Sequence, residues 1–430
     1  MLSISLFGQQ AVESVQLITD RNIYTAGEYV YFKAHIEVDN EPTSISKVLH
    51  IDVVSKNGSH TAHLKAQIVD GKSDGRLLIP ENAITGNYLI RAYTKYQQNF
   101  TPLPASYTQI RILNAALKAE GKPLVVNASS ILNHDVLSVS MTKSRDGLNI
   151  QFESEDKAIT SYAIVRKGSH QDQWSLLTVG DARFESFNQL PETRGVDLTG
   201  KLVHERSKSP MVNTRVFATI LGDYKQFHTA RSDSNGHFVL NFPQINGTRT
   251  IYLSADDSTG KTQILVNTDF SPELPPFKWE QDTLIKHHES VIHSIFIGQQ
   301  LHQAFDTIVK FDEASFIETP EPFTAPTQKI LLSDYVEMES LREAFHEIVP
   351  FVYVRERNGH VSLHMYDHQT KEKFDHPLLL VDNLPYNDVD VVLQIPIKKV
   401  RAIDVFAEPL IYGDENFKGI IHIQTHDGFL

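Results

Sequence analysis

The chain contains no cysteine. That excludes disulfides, thiol catalysis and Cys-ligated zinc or iron–sulfur sites, together with the acylated cysteine that anchors a bacterial lipoprotein. Basic residues are in deficit: 40 Lys and Arg against 53 Asp and Glu leave a formal net charge of -13. Nucleic acids and anionic membrane surfaces both require a basic face, so neither is expected as a partner. Long apolar runs are missing as well. Beyond the extreme N-terminus nothing approaches the ~20 apolar residues of a membrane helix, and the alternating segments are too few for a barrel. GxSxG, a P-loop and GxGxxG do not occur. With no catalytic set to read, neither an enzyme nor a cofactor is expected.

What is present is a globular composition, 41% hydrophobic and 22% charged over 430 residues, enough for three or four domains. Residues 12–114 alternate with period two. Strands are expected at 29–38 and at 47–58, the latter ending in an Asn57-Gly58 turn. A hairpin is expected over 63–79 about Asp70-Gly71, with a further turn at Asp74-Gly75, and strands at 86–94 and 107–113. Six or seven short strands in about 100 residues predict an antiparallel β-sandwich. Pro102 and Pro104 make "TPLP" a poor ladder segment. Alternation at 136–142, 147–154, 158–168 and 174–180 predicts a second sandwich over 115–194, and a third β module covers 195–270. Its turn "SDSNGHF" (232–238) places Asn235-Gly236 where φ can be positive.

"SPELPPF" (271–277) and "ETPEPFTAP" (318–326) read as connectors within a 271–330 linker. Between them, 282–305 has helical spacing at Leu284, His288, Val291 and Ile295, weakened by Gly298. The last stretch, 331–430, changes to α+β. Ser340 and Glu343 stand at capping-box spacing before Leu341, Phe345 and Ile348, with Pro350 as the stop. Strands are expected at 351–357, 360–367, 377–382, 400–407 and 419–425. The fold class is therefore mainly β, tandem antiparallel sandwiches followed by a small α+β domain. At the other end "MLSISLFGQQ" (1–11 with Ala11) reads as the remnant of a secretory signal without its basic region, or else as a frayed first strand.

Twenty histidines raise the question of a metal. His287, His288, His293 and His302 lack HExxH spacing, and His360 and His364 on a strand stand about 13 Å apart by strand rise, too far to share an ion. "YNDVDVV" (386–392) and "SDSNGH" (232–237) lack the EF-hand layout. No metal site is expected. The sequons at 57–59, 127–129 and 246–248 read as turn chemistry, and "KKVR" (398–401) as a solvated edge guard.

Three segments resemble known families. "TDRNIYTAGEYVYFKAHI" (19–36), with Asp20-Arg21, Tyr24 and Gly27-Glu28, and "GNYLIRAYTKYQQNF" (86–100) resemble the MG2-type macroglobulin domain of the α2-macroglobulin family, in which the 29–38 strand turns Tyr29, Tyr31 or their neighbours inward. "GVDLTGKLVHERSKSPMVNTRVFA" is similar to the opening hairpin of a carboxypeptidase regulatory-like domain, and "TARSDSNGHFVL" to its central turn. Residues 376–425 resemble the second half of a TonB-dependent receptor plug. The positions carrying that likeness are Asp382, Asn383, Tyr412, Gly413 and Gly419, with Asn383 standing where the plug turn has glycine. This order of modules is similar to envelope proteins of the Bacteroidota. It implies an exported, non-enzymatic binding or docking protein of the periplasm or outer membrane, linked to TonB-dependent uptake, with an outer-membrane or periplasmic protein as partner. Alternatives are the periplasmic part of a TonB-dependent transporter preceding its barrel, and a protease-binding macroglobulin in which, lacking cysteine, no thioester can form.

Overall fold

The structure, a computed structural model, describes residues 11–114, 182–186, 189–222, 226–243, 249–257, 261–274 and 325–426, the last span without 337, 358 and 414. It also describes strand residues 138–144, 147–153 and 176–177, and the single positions 245, 279, 297, 323 and 428. The chain divides into two compact units, Met1–Thr193 with Phe270–Thr307, and Arg194–Asp269 with Ile308–Leu430. The architecture is mainly β, in tandem sandwiches.

In the first unit the alternating segments become β1 (Ser14–Thr19), β2 (Ile23–Thr25), β3 (Tyr29–Val38), β4 (Glu41–Pro42), β5 (Val48–Ser55), β6 (His60–Gln67), β7 (Lys72–Leu78), β8 (Gly86–Thr94), β9 (Phe100–Thr101) and β10 (Ser106–Leu113). One sheet sets β3 between β1 and β7, with β4 at its end. The other runs β10-β8-β5-β6, and β2 lies parallel to β10. Period two puts one face of each sheet into a shared core: Val30, Phe32, Ala34 and Ile36 of β3 join Leu49, Ile51 and Val53 of β5. Tyr29 and Tyr31 are 36% and 41% exposed. Their neighbours are therefore the inward residues.

The stretch 63–79 departs from the expected hairpin. β6 pairs with β5 and β7 with β3, so the chain changes sheet at Asp70 and Gly71, which take φ of 48° and 68°. Asp74 and Gly75 form no turn but sit within β7, where Gly75 lies opposite Phe32. A Cβ on Gly75 would come within 2.9 Å of Phe32 Cζ, so the glycine makes room for a cross-strand ring.

β11 (Ser138–Ser144) and β12 (Gly147–Glu153) form a hairpin, while β13 (Leu176–Leu177) adds to β10 and β14 (Arg183–Phe184) to β9. The rest of the second sandwich expected over 115–194 lies outside the described residues. So does most of the helix expected over 282–305, with His287, His288, His293 and His302. The start of the expected 271–277 connector is not free chain. Arg91 donates to the carbonyls of Ser271 and Glu273, Ser271 N donates to Tyr93 Oη at 2.9 Å, and Leu103 N donates to Glu273 Oε1 at 3.2 Å.

The second unit opens with a sandwich of two three-stranded sheets. One is ordered β18 (His237–Phe242), β15 (Val196–His204), β20 (Thr262–Val266); the other is ordered β17 (Gln226–Arg231), β16 (Arg215–Ile220), β19 (Ile251–Ala255). Consecutive β15 and β16 fall in different sheets, so 195–218 is not a hairpin. Both contribute to one core, β15 through Leu202 and β16 through Val216 and Ala218, and a hairpin would put them in a single sheet. At the 232–238 turn Gly236 takes φ 80° and Asn235 does not; the Asp233 carboxylate accepts from the N–H groups of Asn235 and His237, both at 2.8 Å.

The remainder comprises β21 (Gln328–Leu331), α1 (Leu341–Glu347), β22 (Val352–Arg357), β23 (His360–Tyr366), β24 (Lys373–Asp375), β25 (Leu378–Val381), β26 (Leu384–Tyr386), α2 (Val389–Leu393), β27 (Val400–Tyr412) and β28 (Glu415–Thr425). A five-stranded sheet runs β21-β27-β28-β25-β26 and a three-stranded one β22-β23-β24. Ser340 caps α1 by accepting from Glu343 N at 3.2 Å. The large sheet is covered on both faces. Leu379, Val381, Val405 and Ile421 enter a core with Leu341, Phe345 and Met365, while Leu380, Phe406 and Ile420 enter another with Phe217, Phe227 and Phe323. Two-sided burial accounts for the unbroken apolar run of β25, Leu378–Val381, where a half-solvated strand would alternate. Phe323, within the second expected connector, is buried there, 5.5 Å from Phe406 and 5.9 Å from Phe227 between ring centroids.

Candidate functional site

Four of the five positions singled out near the C-terminus are engaged within the second unit. Asp382 and Asn383 form the two-residue turn between β25 and β26 with φ of 49° and 66°, the left-handed pair a tight hairpin requires. Each oxygen of the Asp382 carboxylate accepts one bond, from Thr425 N at 2.9 Å and Thr425 Oγ1 at 2.6 Å, fixing the end of β28. Asn383 N donates to His422 Nε2 at 3.3 Å, and its carbonyl accepts from Thr219 Oγ1 of β16 at 2.7 Å. Tyr412 donates its hydroxyl proton to the carbonyl of Phe227 in β17. Gly419 takes φ 80° where a Cβ would meet Met365 Sδ at 2.6 Å, so β24 and β23 approach the strand closely. Gly413, with φ 61°, ends β27 against open space. Asn383 and Tyr412 thus join the 194–269 sandwich to the C-terminal sheet, while Asp382 and Gly419 act within the C-terminal part.

The sequence reading missed the residues that complete this joint. Arg215 and Arg231 are direct partners on β16 and β17. Like charges placed opposite repel, so the pair calls for a carboxylate. Glu415, 3% exposed at the start of β28, supplies it: Arg215 Nε and Arg231 Nε each donate to it at 2.7 Å, and Arg231 Nη2 donates as well. Burial pushes the Glu415 carboxyl up, but the hydrogen bonds from Arg231 and Arg215 outweigh it and hold the group below the usual glutamate range. Arg215 also lies over the Phe417 ring, 5.0 Å from its centroid. The hairpin register was the available signal, since two arginines opposite one another demand an acid. The acid itself carries no motif.

In the first unit the Asp20–Glu28 stretch builds a corner tied to its neighbours through Arg111, Leu113 and Ile79. Tyr24, fully buried, donates to Asp20 Oδ1 at 2.8 Å and to the carbonyl of Arg21 at 2.6 Å. Arg21 lies 4.9 Å above the Tyr24 ring and donates to Asp20 at 3.1 Å and Glu28 at 3.4 Å. Glu28 accepts from Thr25 N at 2.6 Å across the turn that Gly27 closes with φ 87°. Residues 14–106 match the MG2 domain. No curated protein matches the chain. Among solved structures, native Escherichia coli alpha-2-macroglobulin is similar at 13% identity and TM-score 0.20, over 59% of this chain and 14% of that one. Salmonella alpha-2-macroglobulin reacted with methylamine gives 13% and 0.21, over 59% and 23%. The Yersinia pseudotuberculosis adhesin InvE gives 12% and 0.18, over 59% and 57%. The chain thus spans under a quarter of the length of the two macroglobulins.

The MG2 domain keeps its buried charges paired. Arg91 makes a bidentate pair with Asp52 at 2.6 and 2.8 Å, both residues inaccessible to solvent. His50 meets Glu192 at 2.5 Å, and Lys65 donates to the same carboxylate at 3.1 Å. Glu13, ahead of β1, accepts from Ser46 Oγ at 2.9 Å and from the hydroxyls of Thr43 and Thr94. Arg91, Asp52, Lys65, Glu192 and Glu13 are thus met by protein groups, as buried charges must be, while the buried His50 Nδ1 has no partner among the described residues. Elsewhere His360 and His364 turn to different carboxylates, Asp390 at 3.7 Å and Asp375 at 2.7 Å. Among the described residues no cluster of three or more His, Cys, Asp or Glu is placed to hold a metal. No helix among them is long and apolar enough to cross a membrane.

Proposed function

We propose that this protein is a non-enzymatic scaffold of β modules, exported to a bacterial envelope, in which a regulatory-like sandwich (195–270) and a plug-like α+β domain (331–430) dock onto an outer-membrane or periplasmic protein in TonB-linked uptake. The observation that carries the reading is the MG2 domain over 14–106, a type of module that is a β-sandwich without catalytic residues of its own. The joint adds support. The Asp382 and Glu415 carboxylates, the Tyr412 hydroxyl and the Asn383 main chain make internal bonds, which suits a rigid platform better than a reaction centre. The partner-facing surface is then the solvent side of the β27–β28 hairpin end, where Ile411 is 78% exposed next to Tyr412. A photo-crosslinking residue at Ile411 in the tagged, full-length protein is expected to capture a discrete outer-membrane or periplasmic protein. The same group at Leu78 of the MG2 domain should capture little. Equal or absent adducts at both positions would reject the docking role.

A further inference from the structure

We infer that a cleft in the second unit binds a small amphipathic carboxylate. The cleft, of about 260 Å³, lies between the end of β21 with its following turn and the start of β27. Leu331, Leu332, Val336, Ile397 and Val400 give the lining its apolar part, and Lys398 and Arg401 its cationic one, with no carboxylate among the described lining residues. In a chain of net charge -13 such a cationic rim is not the average surface. Arg401 donates to Gln424 Oε1 at 2.6 Å, a neutral amide oxygen, so the guanidinium charge is not offset by that bond. Val336, among the lining residues, is 88% exposed, an apolar side chain left in water.

Shape and charge together name the ligand class. At about 30 Å³ for a water-sized group, the cleft has room for roughly nine such groups. That is a carboxylate with a tail of six to eight carbons, and too little for a folded segment or a full acyl chain. The carboxylate would lie in the Arg401 fork, where planar bidentate pairing is favoured, and the tail against Ile397 and Val336. This inference is independent of the docking role, because its test needs no partner protein.

Calorimetric titration of the full-length protein with butanoate, octanoate and octyltrimethylammonium tests it. Octanoate should bind saturably and more tightly than butanoate, by about fourfold per methylene until the cleft is filled. The ammonium, with the same tail and opposite charge, should not saturate. Arg401→Gln and the exposed Val336→Glu should each weaken octanoate about tenfold without moving the melting temperature. Absence of saturable octanoate binding, equal binding of the ammonium, or unchanged affinity in both variants would each overturn the assignment.

Discussion

At the scale of residues, acid sensitivity in the second unit follows from two titrating side chains. Glu415 is held ionised by Arg215 and Arg231, so its stabilisation is complete above the ordinary glutamate value of 4.5 and fades as pH falls below it. His228 acts in a higher window. Burial pushes its imidazole down from 6.5 to about 4, with the ring edge-on to Phe242 at 4.8 Å. Between those values the unfolded chain binds the proton and the folded one does not. Stability should therefore drop by up to ~1.4 kcal/mol per pH unit on acidification through that window. Denaturant titrations at pH 7, 6, 5 and 4 should show the slope in the native protein and lose most of it in His228→Gln. Glu415→Gln should cost about 2 kcal/mol at pH 7, less than a fully enclosed pair because Arg215 and Arg231 keep contact with water. A variant as stable as the native protein at neutral pH would remove Glu415 from the joint.

Individual elements separate what local patterns reveal from what they do not. Gly413 and Gly419 both have positive φ, yet a Cβ at Gly413 meets nothing within 4 Å whereas one at Gly419 strikes Met365 and Phe374. Gly413→Val should cost ~1 kcal/mol, from the backbone alone, and Gly419→Val ~3 kcal/mol, from backbone and overpacking together. Equal melting shifts would refute that distinction. Positive φ at Gly236 and the Ser340 cap were legible in sequence because they depend on a few adjacent residues. Strand pairing was less so. Alternation marks β6 and β7 as strands, but nothing local says that they belong to different sheets, and Gly75 imitates a turn when its role is to accept the Phe32 ring. Glu415 was invisible for the same reason, since its arginines lie about 200 and 184 residues earlier in the chain. Asn383 and Tyr412 were singled out as part of a local pattern, whereas their bonds to β16 and β17 required the fold.

For the whole molecule, each compact unit is assembled from two separated stretches of chain, so cooperativity need not follow the order of modules along the sequence. In the second unit the C-terminal sheet buries Leu380, Phe406, Leu410, Phe417 and Ile420 against Phe217 and Phe227, and Glu415 closes the same contact electrostatically. A fragment starting near residue 331 would expose that entire apolar face. It should bind a hydrophobic dye and self-associate where the intact chain does not. The sharper test keeps the chain whole. Phe417 is buried with its ring 6.5 Å from Phe217, and Phe417→Ala should cost ~3 kcal/mol through the cavity it leaves. If the two stretches form one cooperative body, hydrogen exchange should accelerate together in β16, β17, β25 and β28 of the variant. Protection in β5 and β8 of the MG2 domain should stay at its native level. Acceleration confined to β27 and β28, with β16 and β17 unaffected, would mean that the sandwich and the C-terminal sheet open independently despite their shared core.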